Sequence, residues 1–483
     1  MLHRRRGGRG YAGLVTPTVK MWNYRTELPM RGWPKSYHSV CRGLMYKVAI
    51  VGSGFIGSTI ASVLASSGCD VDAIDVNERL IAAFERGDCP IKEPGLAELC
   101  AKQKAAGRLR FGNDFSRVAD ADVILVTVGT PLAEDFTPDI SHIHAATEAI
   151  VPYVRDGQLV MVKSTVPPGI TRVVVAERLR QVADVLVAFS PERLAEGTAI
   201  RELSSLPIVV GGLDAESSAA AETFWKKTLG VNVIVVSSPE AAEVVKLADN
   251  LWIDLNIALA HDLAKLCDAL PYDLDVLEVI AGANSLKKGQ HYVNILTPSN
   301  GVGGYCLTKD PWFVHTLGTR HGTELLTPQT SRAVNAGMPA YCASQIAQWA
   351  RSRDRLPSSL QLAVLGLAFK TNSGDVRLTP VMPLLDALQA EGFRSVRVHD
   401  PMVRKEDADD WGVVLNPSMD DTLRNADGVI FLVGHDDFKA LSPARIASLA
   451  APGALVFDGR RYFDRSEIAE IQDLGFAYKG VGR

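Results

Sequence analysis

The sequence predicts an α/β protein in which two doubly wound parallel-sheet domains are joined by a central helical domain carrying one long helix. Three observations lead there. Units of apolar strand, glycine turn and amphipathic helix repeat from Tyr46 to about residue 235 and again from about residue 356. Between these stretches helical periodicity dominates. Within it, residues 240–270, EAAEVVKLADNLWIDLNIALAHDLAKLCDAL, run without Gly or Pro, enough for one helix to cross a whole domain.

Taken in order, KVAIVGSGFIG gives a strand and a glycine turn, and a helical stretch runs to Ser67. CDVDAIDVN is a strand ending in an acid. The buried-type runs 122–129, 158–165, 184–191 and 206–212 follow as further strands of a parallel sheet. The long helical segment links two lobes and offers a subunit interface. RSRDRLPSS (351–359) reads as a linker. After it, LQLAVLGLAFK, SVRVHDP, DGVIFLVGH and ALVFDGR supply the strands of the second open sheet, which lacks G-x-G-x-x-G and so holds any ligand differently from a dinucleotide. The expected division is 45–235, 236–350 and 351–483, with residues 1–44 set apart.

Composition suits a globular chain of 483 residues, 47% hydrophobic and 22% charged, too long for one core. No apolar run reaches a bilayer span: the longest, Ile257–Leu270, is broken by His261, Asp262, Lys265 and Asp268. The seven cysteines are scattered without a C-x-x-C pair, which argues against a disulfide framework or a metal site and for a reducing, cytoplasmic compartment. Net charge is −4, yet residues 1–44 hold nine Lys/Arg and one acid. That basic head reads as an over-extended start, with translation beginning at Met45, or as a targeting segment or nucleic-acid arm. It is expected to be disordered; no nucleic-acid or membrane partner is expected of the body.

Gly52, Gly54 and Gly57 form G-x-G-x-x-G between a strand and a helix, with Phe55 and Ile56 opening that helix. The first glycine permits the tight turn, the second a close approach to a pyrophosphate, and the third close helix–strand packing. Asp75 ends the next strand, where a carboxylate accepts from a ribose hydroxyl. That favours NAD over NADP, although Arg79 is near; FAD or no ligand are the alternatives. The first sheet therefore reads as Rossmann-like.

The segment NGVGGYCLTKDPWF (300–313) reads as a loop too glycine-rich for a helix or strand interior, with Cys306 at its centre. Its glycines let backbone approach a ligand, and Lys309 and Asp310 bring a cation and a carboxylate; the cation is expected to lower the thiol pKa. Lys246 and Asn250, four apart, share one helix face and can stabilise an oxyanion, or else form a solvated polar stripe. A thiol beside a hydride acceptor hints at a four-electron oxidation of alcohol to carboxylate through a thiohemiacetal and thioester, using two NAD per turnover.

With VAIVGSGFIG, EPGL (93–96), VGTP (128–131), KSTVPPG (163–169), SPER (190–193), EAAEVVKLADN (240–250), GVGGYCLTKDP (301–311) and GLAFKTNSGDVRLTP (366–380) in this order, residues 45–483 resemble the UDP-glucose/GDP-mannose dehydrogenase family. The resemblance implies a helical centre that dimerises, a C-terminal domain holding the nucleotide of a UDP-sugar, and a homodimer or larger assembly. It implies Cys306 as nucleophile, Asp310 as activator of the hydrolytic water, Lys246 and Asn250 as oxyanion clamp, and Glu192 and Thr165 positioning substrate and water. Thr130 and Thr165 join Gly52, Gly54, Gly57, Asp75 and Arg79 at the cofactor, while Gly303, Lys309, Lys370 and Arg377 join the substrate set. No metal is implied. The chain departs from the family pattern in Thr371 and the run NSGDVR after AFK, and in Tyr292 where relatives acting on N-acetylhexosamines carry an arginine. VNI, GVGG and DPWF resemble that N-acetylhexosamine branch, whereas C-x-x-K-D resembles the UDP-glucose branch. A β-hydroxyacid dehydrogenase, stopping after one oxidation, and a non-catalytic nucleotide-sugar-binding protein are the other readings.

Overall fold

The computed structural model describes residues 46–133 and 137–483, so the expectations for residues 1–44 lie outside the described residues. Strand β1 (Lys47–Val51) leads through the glycine turn into helix Phe55–Ser66. With β2 (Asp70–Ile74), β3 (Leu109–Gly112), β4 (Val123–Val126), β5 (Leu159–Val162), β6 (Leu186–Phe189), β7 (Ile208–Gly212) and β8 (Val233–Val235) it builds one sheet of order β3-β2-β1-β4-β5-β6-β7-β8. The strands from β3 to β6 in this order are parallel. Chain order reverses between β1 and β4, which opens a crevice beyond their C-terminal ends. The central runs VILV and LVMV are wholly buried, as a sheet covered on both faces requires.

Two strands depart from the parallel arrangement: β7, the LPIVVGG run, lies antiparallel to β6, and β8 runs parallel to β7. A parallel return needs a crossover carrying the chain back to the far end of the sheet. Residues 190–207 contain only the short helix Ala199–Leu203 and stay at the crevice end, held by Glu93, whose carboxylate accepts from the N–H groups of Gly197 and Ala199 at 2.5 and 2.8 Å. The chain therefore re-enters from the end it left.

The long helix spans Pro239–Ala269. The Ser238 side chain caps it by accepting from the Ala241 N–H, Pro239 supplies a preset first turn, and Glu240 meets the positive end of the dipole. A tiny hairpin, β9 (Lys287–Lys288) and β10 (His291–Tyr292), precedes two more helices, Tyr305–Arg320 and Leu326–Arg351, which pack on the long helix and on each other. The expected linker begins where the second of these ends. A second sheet follows, of β11 (Gln361–Leu365), β12 (Ser395–His399), β13 (Gly428–Phe431), β14 (Leu455–Asp458) and β15 (Ala477–Gly480), all parallel in the order β12-β11-β13-β14-β15. The α/β class with two parallel-sheet bodies and a helical centre stands.

The long helix buries polar groups and leaves several large apolar ones exposed. Glu243, Lys246, Asn250, Asp254 and His261, spaced three, four, four and seven, are buried along one face, while Val244, Trp252, Leu255, Leu259 and Leu266 are exposed. Each buried polar group then needs a partner. Glu243 accepts from the N–H groups of Gly169 and Thr171 at 2.6 and 2.9 Å, and burial raises its carboxyl to about 7. Asp254 pairs with Arg332 at 2.6 Å. His261 lies against Asn335 at 2.8 Å and accepts from the Ser299 N–H at 3.1 Å. Burial pushes the imidazole down to about 3, so it stays neutral in the fold. Below the ordinary histidine value near 6.5 the unfolded chain takes up a proton that the folded chain refuses, and stability falls with pH by about 1.4 kcal/mol per unit. In denaturant titrations the stability gap between wild type and His261→Gln should narrow by roughly that amount per unit from pH 6 to 4. A pH-independent gap would show that the buried imidazole is not the group responsible.

Candidate active site

At the crevice, Gly52 turns with φ +100°, and a side chain there would press on the backbone of Thr127 and Val128 at 3.0 Å. A Cβ on Gly57 would lie 1.8 Å from the Gly52 carbonyl oxygen, so helix and strand touch only because that residue is glycine. Gly54 has nothing within 4 Å of its absent side chain. It is also the helix N-cap and brings no side-chain hydrogen bond to the helix. The first turn, Phe55–Ile56–Gly57, thus keeps its N–H groups for an anion arriving over Gly54. Asp75 accepts from the N–H groups of Ser53 and Asn77 at 2.6 and 2.8 Å, which fixes the carboxylate beside the glycine turn. Arg79 is exposed nearby. Buried Thr130 donates to the Thr165 carbonyl at 2.6 Å, tying the ends of the β4 and β5 segments together. The cradle fits a dinucleotide.

The thiol segment corrects the sequence reading. Cys306 lies in the first turn of helix Tyr305–Arg320, which Gly304 opens with φ +81°. The helix holds despite the glycines because they all precede it, and Pro311 lies within it. Those glycines serve packing. A Cβ on Gly303 would meet Phe369 at 2.5 Å and Pro380 at 2.8 Å, and one on Gly304 would meet the Phe369 ring at 2.8 Å. The Gly304 N–H donates to the Arg377 carbonyl at 3.1 Å.

Among the described cysteines Cys306 is the exposed one. The expected lowering of its pKa is also corrected: crowding by the cleft walls raises the thiol, Lys246 and Lys309 oppose this, and Asp310 and Glu196 reinforce it. Lys309 is spent elsewhere, 2.8 Å from Asp310 and 4.1 Å above the Phe313 ring. Buried Asp310 also accepts from the Asn250 amide at 2.5 Å. Lys246 and Asn250 are therefore no solvated stripe. The Lys246 ammonium makes no hydrogen bond or ion pair among the described residues and is the strongest cationic influence on the thiol.

Lys370 and Arg377 do come together, but on protein partners. Both reach Glu196, Lys370 at its carbonyl and Arg377 at its carboxylate at 2.9 Å; Arg377 also clasps Asp375 and lies over the Tyr305 ring. Burial, then Asp375, raises the Glu196 carboxyl. Glu192 is likewise engaged, accepting from the Leu194 N–H at 2.6 Å and lying 3.7 Å from the ammonium of Lys163. Lys163, buried over Trp225, escaped the sequence reading although it heads KSTVPPG. Glu196, Glu243 and Arg460 escaped as well. The Arg460 guanidinium donates to the carbonyls of Leu432 and Phe369 at 3.0 and 2.8 Å, and burial lowers it to about 10.

A glycine cradle that fits a dinucleotide at the β1/β4 reversal, in a chain that also holds a buried lysine–asparagine pair and an exposed thiol, points to the class of NAD-dependent oxidoreductases. Three family models place it further: residues 46–229 match the NAD binding domain, 240–337 the central domain and 363–465 the UDP binding domain of the UDP-glucose/GDP-mannose dehydrogenase family. The chain belongs to this family and is a nucleotide-sugar dehydrogenase. A UDP-N-acetyl-D-mannosamine dehydrogenase of Methanococcus maripaludis is 31% identical over 443 residues, 90% of this chain and 97% of that protein. The solved UDP-D-ManNAc dehydrogenase of Pyrococcus horikoshii superposes with a TM-score of 0.80 at 28% identity, over 90% of this chain and 99% of that one. A UDP-glucose dehydrogenase from Pyrobaculum islandicum gives 0.79 at 29%, over 92% and 99%.

The second and third glycines of the crevice turn should separate folding from binding. Gly57→Ala should destabilise the chain by about 2 kcal/mol or more, through the forced clash. Gly54→Ala should leave the melting temperature within a degree or two of wild type and weaken NAD binding at least tenfold by calorimetry. Equal melting losses in both variants would contradict this division.

Proposed function

We propose that the protein oxidises the C6 hydroxymethyl of a UDP-N-acetylhexosamine or of UDP-glucose to the carboxylate in two steps, consuming two NAD, and that the N-acetylhexosamine is the substrate. The observation that carries the reading is Cys306, the open thiol, in the first turn of its helix with Lys246 as its main cation. The relative named for N-acetyl-D-mannosamine supports the choice of sugar.

NAD held by the Gly52–Gly57 turn and Asp75 would supply the hydride acceptor for each oxidation of the sugar carbon. Between them the Cys306 sulfur bonds to the aldehyde carbon as the thiol proton departs, giving a thiohemiacetal. Its second oxidation leaves a thioester. Water then attacks, the carbon–sulfur bond breaks, and the thiol is regenerated. In sum, alcohol, water and two NAD⁺ give carboxylate, two NADH and three protons. Burial holds the thiol above its ordinary pKa in the resting protein, and Lys246 opposes that rise. Lys246 and Asn250 offset the charge on the oxygen of each tetrahedral species. Asp310, held between Lys309 and Asn250, helps activate the water, and Glu192 and Thr165 position water and substrate. Lys370 and Arg377, with Gly303 beside them, receive the diphosphate when it displaces their contacts with Glu196.

Residues 45–235 serve as the NAD domain, 236–350 as the dimerising centre and 351–483 as the nucleotide-holding domain. The exposed apolar face of the long helix, with Trp252 roughly half exposed at its middle, pairs with its copy in a second chain. Free thiols and the absence, among the described residues, of any helix able to cross a membrane suit a cytoplasmic site, where the uronic acid feeds polysaccharide synthesis.

A panel of UDP- and GDP-sugars, followed by NADH absorbance and product mass, tests the activity. Two NADH per acid are expected, with the fastest turnover on a UDP-N-acetylhexosamine, and Cys306→Ala should lose acid at least a thousandfold with an unchanged melting temperature. One NADH per ketone or aldehyde, or no product from any sugar, would overturn the reading. For the assembly, Trp252→Glu should shift the sedimenting species to a single chain; a wild type that is already monomeric would remove the proposal.

A further inference from the structure

The sulfur of Cys306 has no hydrogen bond of its own among the described residues, so whatever sets its position lies behind it. On one side of the thiol, the Ser299 hydroxyl donates to the Gly301 carbonyl at 2.8 Å, and the Ser299 N–H donates to Nε2 of His261 at 3.1 Å. On the other side, Nη1 of Arg332 donates to the carbonyl of Leu307, the residue after the thiol, at 3.3 Å, and to Asp254 Oδ1 at 2.6 Å. Asn335 closes the gap. Its Nδ2 donates to the Asp254 carboxylate at 2.7 Å and to the Asp254 carbonyl at 2.9 Å, so its Oδ1 faces Nδ1 of His261 at 2.8 Å.

Every orientation in this chain is forced. With Nδ2 given to two acceptors, Oδ1 can only accept, so His261 carries its proton on Nδ1 and leaves Nε2 to accept from Ser299. Asp254 and His261 are wholly buried, and Asn335 and Arg332 are 1% and 7% exposed. In so dry a setting a single reversed group leaves an unsatisfied neighbour, and the network moves as a unit. A buried ion pair is weak evidence for stability alone, since apolar residues can do as well.

We infer that Asn335, with Asp254, His261 and Arg332, forms a positioning network that holds both flanks of Cys306 and so sets where its sulfur meets the oxidised carbon. Asn335 and Arg332 touch neither substrate nor cofactor; they act through the backbone at Ser299–Gly301 and Leu307. This rests on the reading of Cys306 as the aldehyde's covalent holder. It predicts that disturbing the network separates the two oxidations, because the first needs no sulfur and the second does.

The test is Asn335→Asp, which keeps the shape but sets an acceptor against Asp254, together with Arg332→Lys, which keeps the cation but gives up the reach to Leu307. Wild type, variants and the exchanged pair Asp254→Asn/Asn335→Asp are compared for aldehyde trapped by hydroxylamine, for acid, and for the rate at which iodoacetamide labels Cys306, read by peptide mass. Both single variants should release aldehyde as the main product, with acid reduced at least tenfold, an unchanged KM for the sugar and a labelling rate altered at least threefold. The exchanged pair should recover acid to within about threefold of wild type. If Asn335→Asp does not fold, Arg332→Lys decides alone. Folded variants with wild-type labelling and a wild-type aldehyde-to-acid ratio overturn the network's role, as would a uniform loss of both oxidations. Should wild type make no acid from any sugar, the functional reading fails instead, while the labelling rates still judge the network.

Discussion

Five polar side chains buried along one helix govern the architecture. A helix spanning Pro239–Ala269 that hides Glu243, Lys246, Asn250, Asp254 and His261 beside mostly small apolar residues such as Ala242 and Ala264, and leaves Val244, Trp252, Leu255, Leu259 and Leu266 exposed, cannot be stable by apolar burial alone. Each hidden group costs a few kcal/mol unless partnered. The partners come from everywhere else: the backbone after the proline pair for Glu243, the thiol helix for Asn250, helix Leu326–Arg351 for Asp254 and His261. Lys246 alone is left over, and it faces the thiol. The helix thus fixes three separate segments with respect to one another, and the site is where they converge.

A second set of contacts spans the cleft. Lys92, beside EPGL, donates to the Met402 carbonyl at 2.9 Å, while Lys370 and Arg377 hold the loop at Glu196. Glu93 steadies that same loop from beneath. The first sheet and the second are therefore clasped at their C-terminal edges by cations facing carbonyls and one half-buried carboxylate. A nucleotide diphosphate entering there would replace a carboxylate by a stronger anion at cations already gathered in place.

What the sequence disclosed followed locality. The glycine turn, Asp75 and the long helix are written in spacings of a few residues, and Lys246 and Asn250 are a turn apart. Glycine density suggests a loop around the thiol, but that density stops at Gly304 and the helix begins at the next residue. The antiparallel β7 was missed because strand direction depends on where the preceding loop is pinned, and Glu93 lies about a hundred residues away. Glu243, Glu196 and the Asp254–Arg332 pair meet partners 72, 181 and 78 residues distant, beyond any periodicity. The thiol's raised pKa likewise reflects tertiary crowding, which a neighbouring lysine in the sequence could not forecast, since Lys309 turns to Asp310.

The fit of Gly303 and Gly304 against Phe369 and Pro380 has a consequence for modularity. Two stretches of chain more than sixty positions apart share one van der Waals surface, with no room for even a methyl group between them. Neither can drift in evolution without the other answering. Transplanting the thiol segment onto a foreign C-terminal domain would carry over the sulfur but not the wall that shapes its loop, so chimaeras of this architecture should exchange the two pieces jointly or lose the fit.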